Sequence, residues 1–177
     1  MPNYCYYEMK VIGTDDNIDE FISMMKYNHP KQHFYRVFEA DVYDRGKGYA
    51  LICGDVACSI YNAMLCLLGE CKATGKEYVF ISNVSKNLQI DIEIFSSEPG
   101  MGFQEHYIFK DGKTVLSECV DYSEYYFDEF YYKKSKTYEE KFAAFLEEYD
   151  LNITPDDLDD NNNYCVGGIE DFGVWKI

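Results

Sequence analysis

Asp121, Glu124, Asp128 and Glu129, then Glu139, Glu140, Glu147, Glu148 and Asp150, recur at or near helical spacing in one stretch of the chain. Carboxylates along a helix face sit several ångströms apart, comparable with the phosphates of DNA. Tyr122, Tyr125, Tyr126, Tyr131 and Tyr132 are interleaved with them. Tyrosine offers a large amphipathic contact area and is enriched at protein interfaces. Such a surface would compete for a groove built to hold nucleic acid and would gain association rate by electrostatic steering. The expected partner-binding residues are therefore Asp121, Glu124, Tyr125, Tyr126, Asp128, Glu129, Tyr131, Tyr132, Glu139, Glu140, Glu147 and Glu148. A merely solvated charged face has the same pattern, and the residue types alone leave both readings open.

The charge distribution carries this reading. The 177 residues have a net charge of −16, and from Ser117 to Asp160 there are 14 Asp or Glu against 4 Lys. Residues 1–116 carry 16 acids against 11 bases, so the excess is concentrated late in the chain. Phosphate contacts need Lys and Arg, so this balance argues against direct nucleic-acid binding and against anionic membranes. It favours basic protein partners, including proteins whose grooves hold DNA or RNA.

Other chemistry fits less well. Asp157, Asp159 and Asn161 have the 1, 3, 5 spacing of a calcium loop, but Asn162 stands where glycine is needed and Gly168 where a bidentate glutamate is needed. His29, His33 and His106 are scattered, and Pro30 interrupts the one pair at i, i+4. No metal or other cofactor is expected. Cys58 lies at an expected helix start, where a thiol can be activated, and His106 is the base that could reach it in the fold. No orienting motif surrounds either, so the chain reads as a non-enzyme, with a small cysteine-dependent enzyme as an alternative. Gly100 and Gly102 lack the Lys-Ser/Thr and the helix of a phosphate loop.

Hydrophobic residues make up 47% of the chain, enough for a core. No apolar run reaches the ~18 residues of a membrane span, and no secretory signal is visible, which points to the cytoplasm. The 7 cysteines show no Cys-x-x-Cys pair and read as buried thiols in a reducing compartment. Among the 18 tyrosines many fall on expected strands, so a Tyr-rich sheet surface used by an adaptor is another candidate for function.

These residues need elements to hold them. Tyr4–Gly13 reads as a strand, and Thr14-Asp15-Asp16 caps a helix carrying Ile18, Phe21, Ile22 and Met25 on one face. Strands are expected at Phe34–Tyr43 and Tyr49–Cys53. Ile60, Ala63, Met64, Leu67, Leu68 and Cys71 predict a helix over Ser59–Cys71. Tyr78–Leu88 reads as either strand or helix. The alternation over Gln89–Phe95 predicts a half-buried strand with Asp91 and Glu93 outward, and Tyr107–Phe109, Asp111-Gly112 and Thr114–Val120 predict a hairpin. Tyr138, Phe142, Phe145, Leu146 and Tyr149 form a helical stripe. Thr154-Pro155 starts a short helix, and Cys165–Ile177 reads as a terminal strand. The order predicts an α+β fold: a ferredoxin-like βαββαβ antiparallel sheet with an added hairpin, over residues 1–120. Residues 121–177 form an acidic, Tyr-rich, partly helical C-terminal extension packed on the same domain.

Three segments carry a family resemblance: Met1-Pro2-Asn3-Tyr4-Cys5 with the strand ending at Gly13, Gly54-Asp55-Val56-Ala57-Cys58-Ser59, and Glu98-Pro99-Gly100-Met101-Gly102-Phe103 with Tyr107 and Asp111-Gly112. Over about residues 1–120 the chain resembles the YubB-type ferredoxin-like proteins of plasmids and phages. It departs from them at Tyr4 and Cys58, where members usually carry Trp, and lacks an Asn-Trp-Gly-Thr-Lys-Trp stretch. The resemblance implies a fold and a mobile-element setting, and no activity. Combined with the charge, it leads to an expected function: an anti-defence protein that inhibits a host nucleic-acid-handling enzyme, such as a CRISPR effector or restriction nuclease, by mimicking nucleic acid.

Overall fold

The computed structural model describes residues 3–65, 69–71 (backbone only), 75–127 and 137–177. The fold is α+β with mainly antiparallel strands, in two units: Met1–Asp121 with Gly168–Ile177, and Tyr122–Gly167. Residues 168–177 of the expected extension thus belong with the first unit.

In the first unit, β1 (Tyr4–Ile12) alternates strictly: Cys5, Tyr7, Met9 and Val11 are buried while Tyr4 and Tyr6 are exposed. Thr14 caps α1 (Asp15–Met25) by accepting the Asn17 N–H, and Asp15 and Asp16 meet the positive end of the helix dipole. A two-residue strand, β2 (Gln32–His33), follows. Phe34–Tyr43, expected as one strand, is largely irregular, with a single bridge from Val37 to Val56. The strand β3 begins only at Asp41 and ends at Gly46. β4 runs from Tyr49 to Ala57.

Among the described residues of the helix expected at Ser59–Cys71, Tyr61–Leu65 form a π-helical turn, and Gly69–Cys71 is instead β5. β5 pairs with β6 (Lys76–Tyr78), which lies parallel to β2. The ambiguous segment resolves as α2 (Ile81–Leu88), closed by Gln89 at φ 51°. β7 (Asp91–Glu98), β8 (Phe103–Lys110) and β9 (Lys113–Tyr126) follow; β8 and β9 form the expected hairpin, turning at Asp111-Gly112. Up to Asp121 the strand order of the main sheet is β9-β8-β7-β1-β4-β3, all neighbours antiparallel.

One face of this sheet buries Tyr7, Met9, Ile52, Ile92, Ile94, Tyr107 and Phe109 in a core with Ile18 and Phe21 of α1 and Ile81 and Val84 of α2. Glu105 is buried on this side. Its Oε2 accepts the Ile60 N–H and the Ser96 hydroxyl, both at 2.8 Å, and its Oε1 accepts the Tyr107 hydroxyl at 3.1 Å. On the other face residues 168–177, expected as a strand, form an irregular strap. Phe172 and Trp175 pack on Phe95 at ring separations of 5.2 and 5.4 Å. Glu93 Oε2 accepts the N–H groups of Lys176 and Ile177 at 2.6 and 3.0 Å, and His106 Nε2 lies 2.7 Å from Glu93 Oε1. Glu93 is thus fully buried, not outward to water. Among the described residues no helix is long and apolar enough to cross a membrane.

Removing the Glu105 acceptor strands three buried donors, the Ile60 N–H and the Ser96 and Tyr107 hydroxyls, so Glu105→Ala should lower stability by at least about 3 kcal/mol, measured by urea unfolding. His33 is buried between the rings of Tyr27 and Tyr78, and neither ring nitrogen has a hydrogen-bond partner among the described residues. Burial, and then nearby Lys76, holds its pKa below the ordinary 6.5. The unfolded chain takes up a proton near pH 6.5 and the folded protein does not. The stability present above pH 6.5 is therefore lost as pH falls through the folded value. Urea midpoints measured from pH 7.5 to 5 should show this loss, and His33→Phe should remove that component.

Candidate functional site

The acidic stretch falls mostly in the second unit. Its framework is the end of β9 from Tyr122, α3 (Tyr138–Tyr149), a 3₁₀ turn at Pro155–Asp157 and β10 (Asn163–Gly167), which pairs antiparallel with β9. Phe127, Phe142 and Phe145 form its core, with Tyr125, Leu146, Leu151, Ile153, Leu158 and Tyr164 against them.

Local sequence explains α3. Thr137 and Glu140 form a reciprocal capping box: the Glu140 N–H donates to Thr137 Oγ1, and the Thr137 N–H donates to Glu140 Oε2. Glu139 and Glu140 lie in the first turn, where the helix dipole favours carboxylates. Hydrogen bonds from its own backbone N–H and the Thr137 hydroxyl hold the Glu139 carboxyl below the usual range. The helix closes at Asp150, in the left-handed conformation at φ 51°.

The expected site residues have different surroundings. Glu139, Glu140, Glu147 and Glu148 are exposed, and among the described residues none of them forms an ion pair. Glu147 and Glu148 sit in the last turn, which holds no basic residue. Glu124 is half-buried, its carboxylate accepting from the Tyr126 hydroxyl at 2.8 Å and Asn163 Nδ2 at 3.2 Å. Tyr125 is a packing residue, 5.1 Å from the Tyr149 ring and 6.2 Å from that of Tyr164. Tyr126 is exposed. Asp121 is exposed at the edge of the first unit, where its carbonyl accepts the Gly168 N–H. Asp128, Glu129, Tyr131 and Tyr132 lie outside the described residues.

The alternative sites also take definite positions. Asp157 caps Thr154, whose backbone N–H and hydroxyl hold its carboxyl below the usual range. Asp159 Oδ1 accepts the N–H groups of Asn161 and Asn163, so both acids of the calcium-like spacing serve turns. Cys58 and His106 are not brought together. Glu105 accepts the Ile60 N–H, two residues after Cys58, whereas His106, one residue further along β8, points to the opposite face and stacks on Phe95 at 4.0 Å. Burial pushes the Cys5 thiol up to about 12, which leaves it a packing residue.

The sequence assigns no residues to the Tyr-rich sheet alternative; in the structure an exposed aromatic cluster stands on the first unit. Tyr4 and Phe38 pack at 5.1 Å and remain 58% and 46% exposed, near Tyr6 and Tyr43. Period-two alternation from Tyr4 to Val11 was the signal available. No protein-family model matches the chain, and comparison with curated proteins and with solved structures yields no match.

Phe145 is fully buried in the small aromatic core, so Phe145→Ala should cost about 3–5 kcal/mol. Hydrogen exchange at the α3 amides should report the loss.

Proposed function

We propose that this is a non-enzymatic inhibitor that binds a basic groove of a nucleic-acid-handling enzyme through the carboxylates of α3. The observation that carries the reading is the position of Glu147 and Glu148. A helix C-terminus is the negative end of the dipole, and each carboxylate there costs about 0.3–1 kcal/mol. Lysine would solvate the same face and favour the helix, so plain solvation does not account for the choice. Local conflicts of this kind concentrate at functional sites.

The spacing suits a phosphate-binding groove. Eight residues separate Glu139 from Glu147, which at about 1.5 Å per residue is about 12 Å, or three to four phosphate steps at about 3.4 Å along one DNA strand. The strand order β7-β1-β4-β3, with α1 and α2 as the crossovers, supports a ferredoxin-like core extended by β8 and β9. The resemblance to YubB-type proteins supports the mobile-element setting, and a CRISPR effector or restriction nuclease is the target class that fits it.

The test is Glu139→Lys, Glu147→Lys and Glu148→Lys together, with Glu140 kept because it closes the cap. Enzymes captured from host lysate should be released by DNA and should bind at least ten-fold more weakly as salt rises from 50 to 300 mM. The triple variant should lose capture, while Glu147→Lys with Glu148→Lys raises stability by about 1 kcal/mol. Undiminished capture by the triple variant, or simultaneous binding of DNA and inhibitor to the captured enzyme, would overturn the reading.

A further inference from the structure

The strap leaves half of a sheet face open. Residues 168–177 cover that face at Glu93, Phe95 and His106, on β7 and β8. On β1 and β4 the same face carries Tyr4, Tyr6, Glu8, Leu51, Cys53 and Asp55, none of them buried. Tyr6 lies opposite Asp55 and Glu8 opposite Cys53 in the register. Phe38, whose N–H donates to the Asp55 carbonyl at 2.8 Å, brings its ring against Tyr4. Tyr6 is 45% exposed and its hydroxyl donates to Glu8 Oε1 at 3.1 Å. Tyr43, the extra residue where the β3–β4 register shifts, is 51% exposed. Burial, and then Glu8, push its hydroxyl above its ordinary pKa.

Contiguous exposed aromatics on a sheet mark an interaction site, and the charges around them select its occupant. The carboxylates are Glu8, Asp55, Asp44, which accepts the Tyr49 hydroxyl at 3.1 Å, and Asp41, opposite Cys53, which Lys26 approaches at 3.8 Å. Lys10, the cation of β1, donates to the backbone oxygen of Ile177 in the strap. Arg45, the cation of β3, turns to Asp19 of α1 at 3.1 Å. Arg36, two residues before Phe38, lies over the Tyr35 ring at 4.9 Å. Among the described residues the cations of β1 and β3 are thus engaged elsewhere, and open aromatic rings beside carboxylates suit guanidinium groups, which stack on aromatic faces and bind carboxylates in a bidentate fork. Phosphates would be repelled, and so would a second copy of this acidic chain.

We propose that the open sheet half built by Tyr4, Tyr6, Glu8, Phe38, Tyr43 and Asp55 docks an extended, arginine-bearing segment of a partner protein. The segment lies beside the strap, which shows that an irregular aromatic stretch of chain can cover this face. The site is on the first unit and stands independently of the acids on α3.

The probe is a synthetic peptide of four Arg-Ser repeats, titrated into the ¹⁵N-labelled full chain at 150 mM salt. Amide shifts should concentrate at residues 4–8, 38 and 43. Tyr6→Thr with Tyr43→Thr keeps strand-compatible residues at exposed positions and should weaken binding at least ten-fold. Glu8→Gln should weaken it several-fold without removing a ring, and a Lys-Ser peptide should bind several-fold less tightly than the Arg-Ser peptide. The α3 triple reversal should leave these shifts in place, which separates this site from the proposed inhibitory surface. Shifts centred on α3, unchanged affinity in both the tyrosine and Glu8 variants, or preferential binding of an oligouridine to this face would overturn the proposal.

Discussion

Two buried glutamates on adjacent strands set the conditions for the rest of the first unit. A carboxylate away from water is tolerated only when its oxygens are met by donors. Glu105 meets this with the N–H of Ile60 and the hydroxyls of Ser96 and Tyr107, fixing the turn after β4 against the helical side of the sheet. Glu93 meets it with His106 and two N–H groups of the strap, fixing that segment on the other side. Each segment so held is irregular, with no ladder of its own to define its place. Directional hydrogen bonds to a buried charge supply the register that secondary structure does not.

The abundant tyrosines divide by environment. Tyr7 and Tyr107 are core residues whose hydroxyls find buried partners, the Glu39 carbonyl and the Glu105 carboxylate. Tyr125 and Tyr164 pack against the small aromatic core of the second unit, beside Leu146, Leu151, Ile153 and Leu158. Tyr4, Tyr6 and Tyr43 do neither, and their exposure beside carboxylates gives the sheet face its chemical character. Composition alone therefore could not separate packing tyrosines from presenting ones.

Much of the fold was legible where periodicity and punctuation agree. Thr14 caps a helix, Asp111-Gly112 turns a hairpin, and the apolar stripes beginning at Ile18 and Tyr138 are helical faces. The reading diverged where distant chain overrode local pattern. Asp91 and Glu93 alternate with isoleucines as on a half-buried strand, yet Glu93 is covered by a strap more than seventy residues away whose sequence has no regular period. The apolar spacing after Ser59 suits a helix, but the described residues of that stretch hold a π-helical turn at Tyr61–Leu65 and the strand at Gly69–Cys71. For the candidate site, the acids of α3 were visible as charges. That Glu124 is held by Tyr126 and Asn163, and that Tyr125 is packed inside, depends on the pairing of β9 with β10 and has no local signature.

The second unit enters at Tyr122 and leaves at Gly167, residues that pair across adjacent strands, and the Gly168 N–H donates to the Asp121 carbonyl at 2.8 Å. It is thus an insertion with abutting ends. During synthesis the ribosome makes the whole insertion before it makes the strap. Until then the two amide donors that meet Glu93 Oε2, and the rings that pack on Phe95, have not been made. The order of translation thus places completion of the first-made unit after emergence of the second.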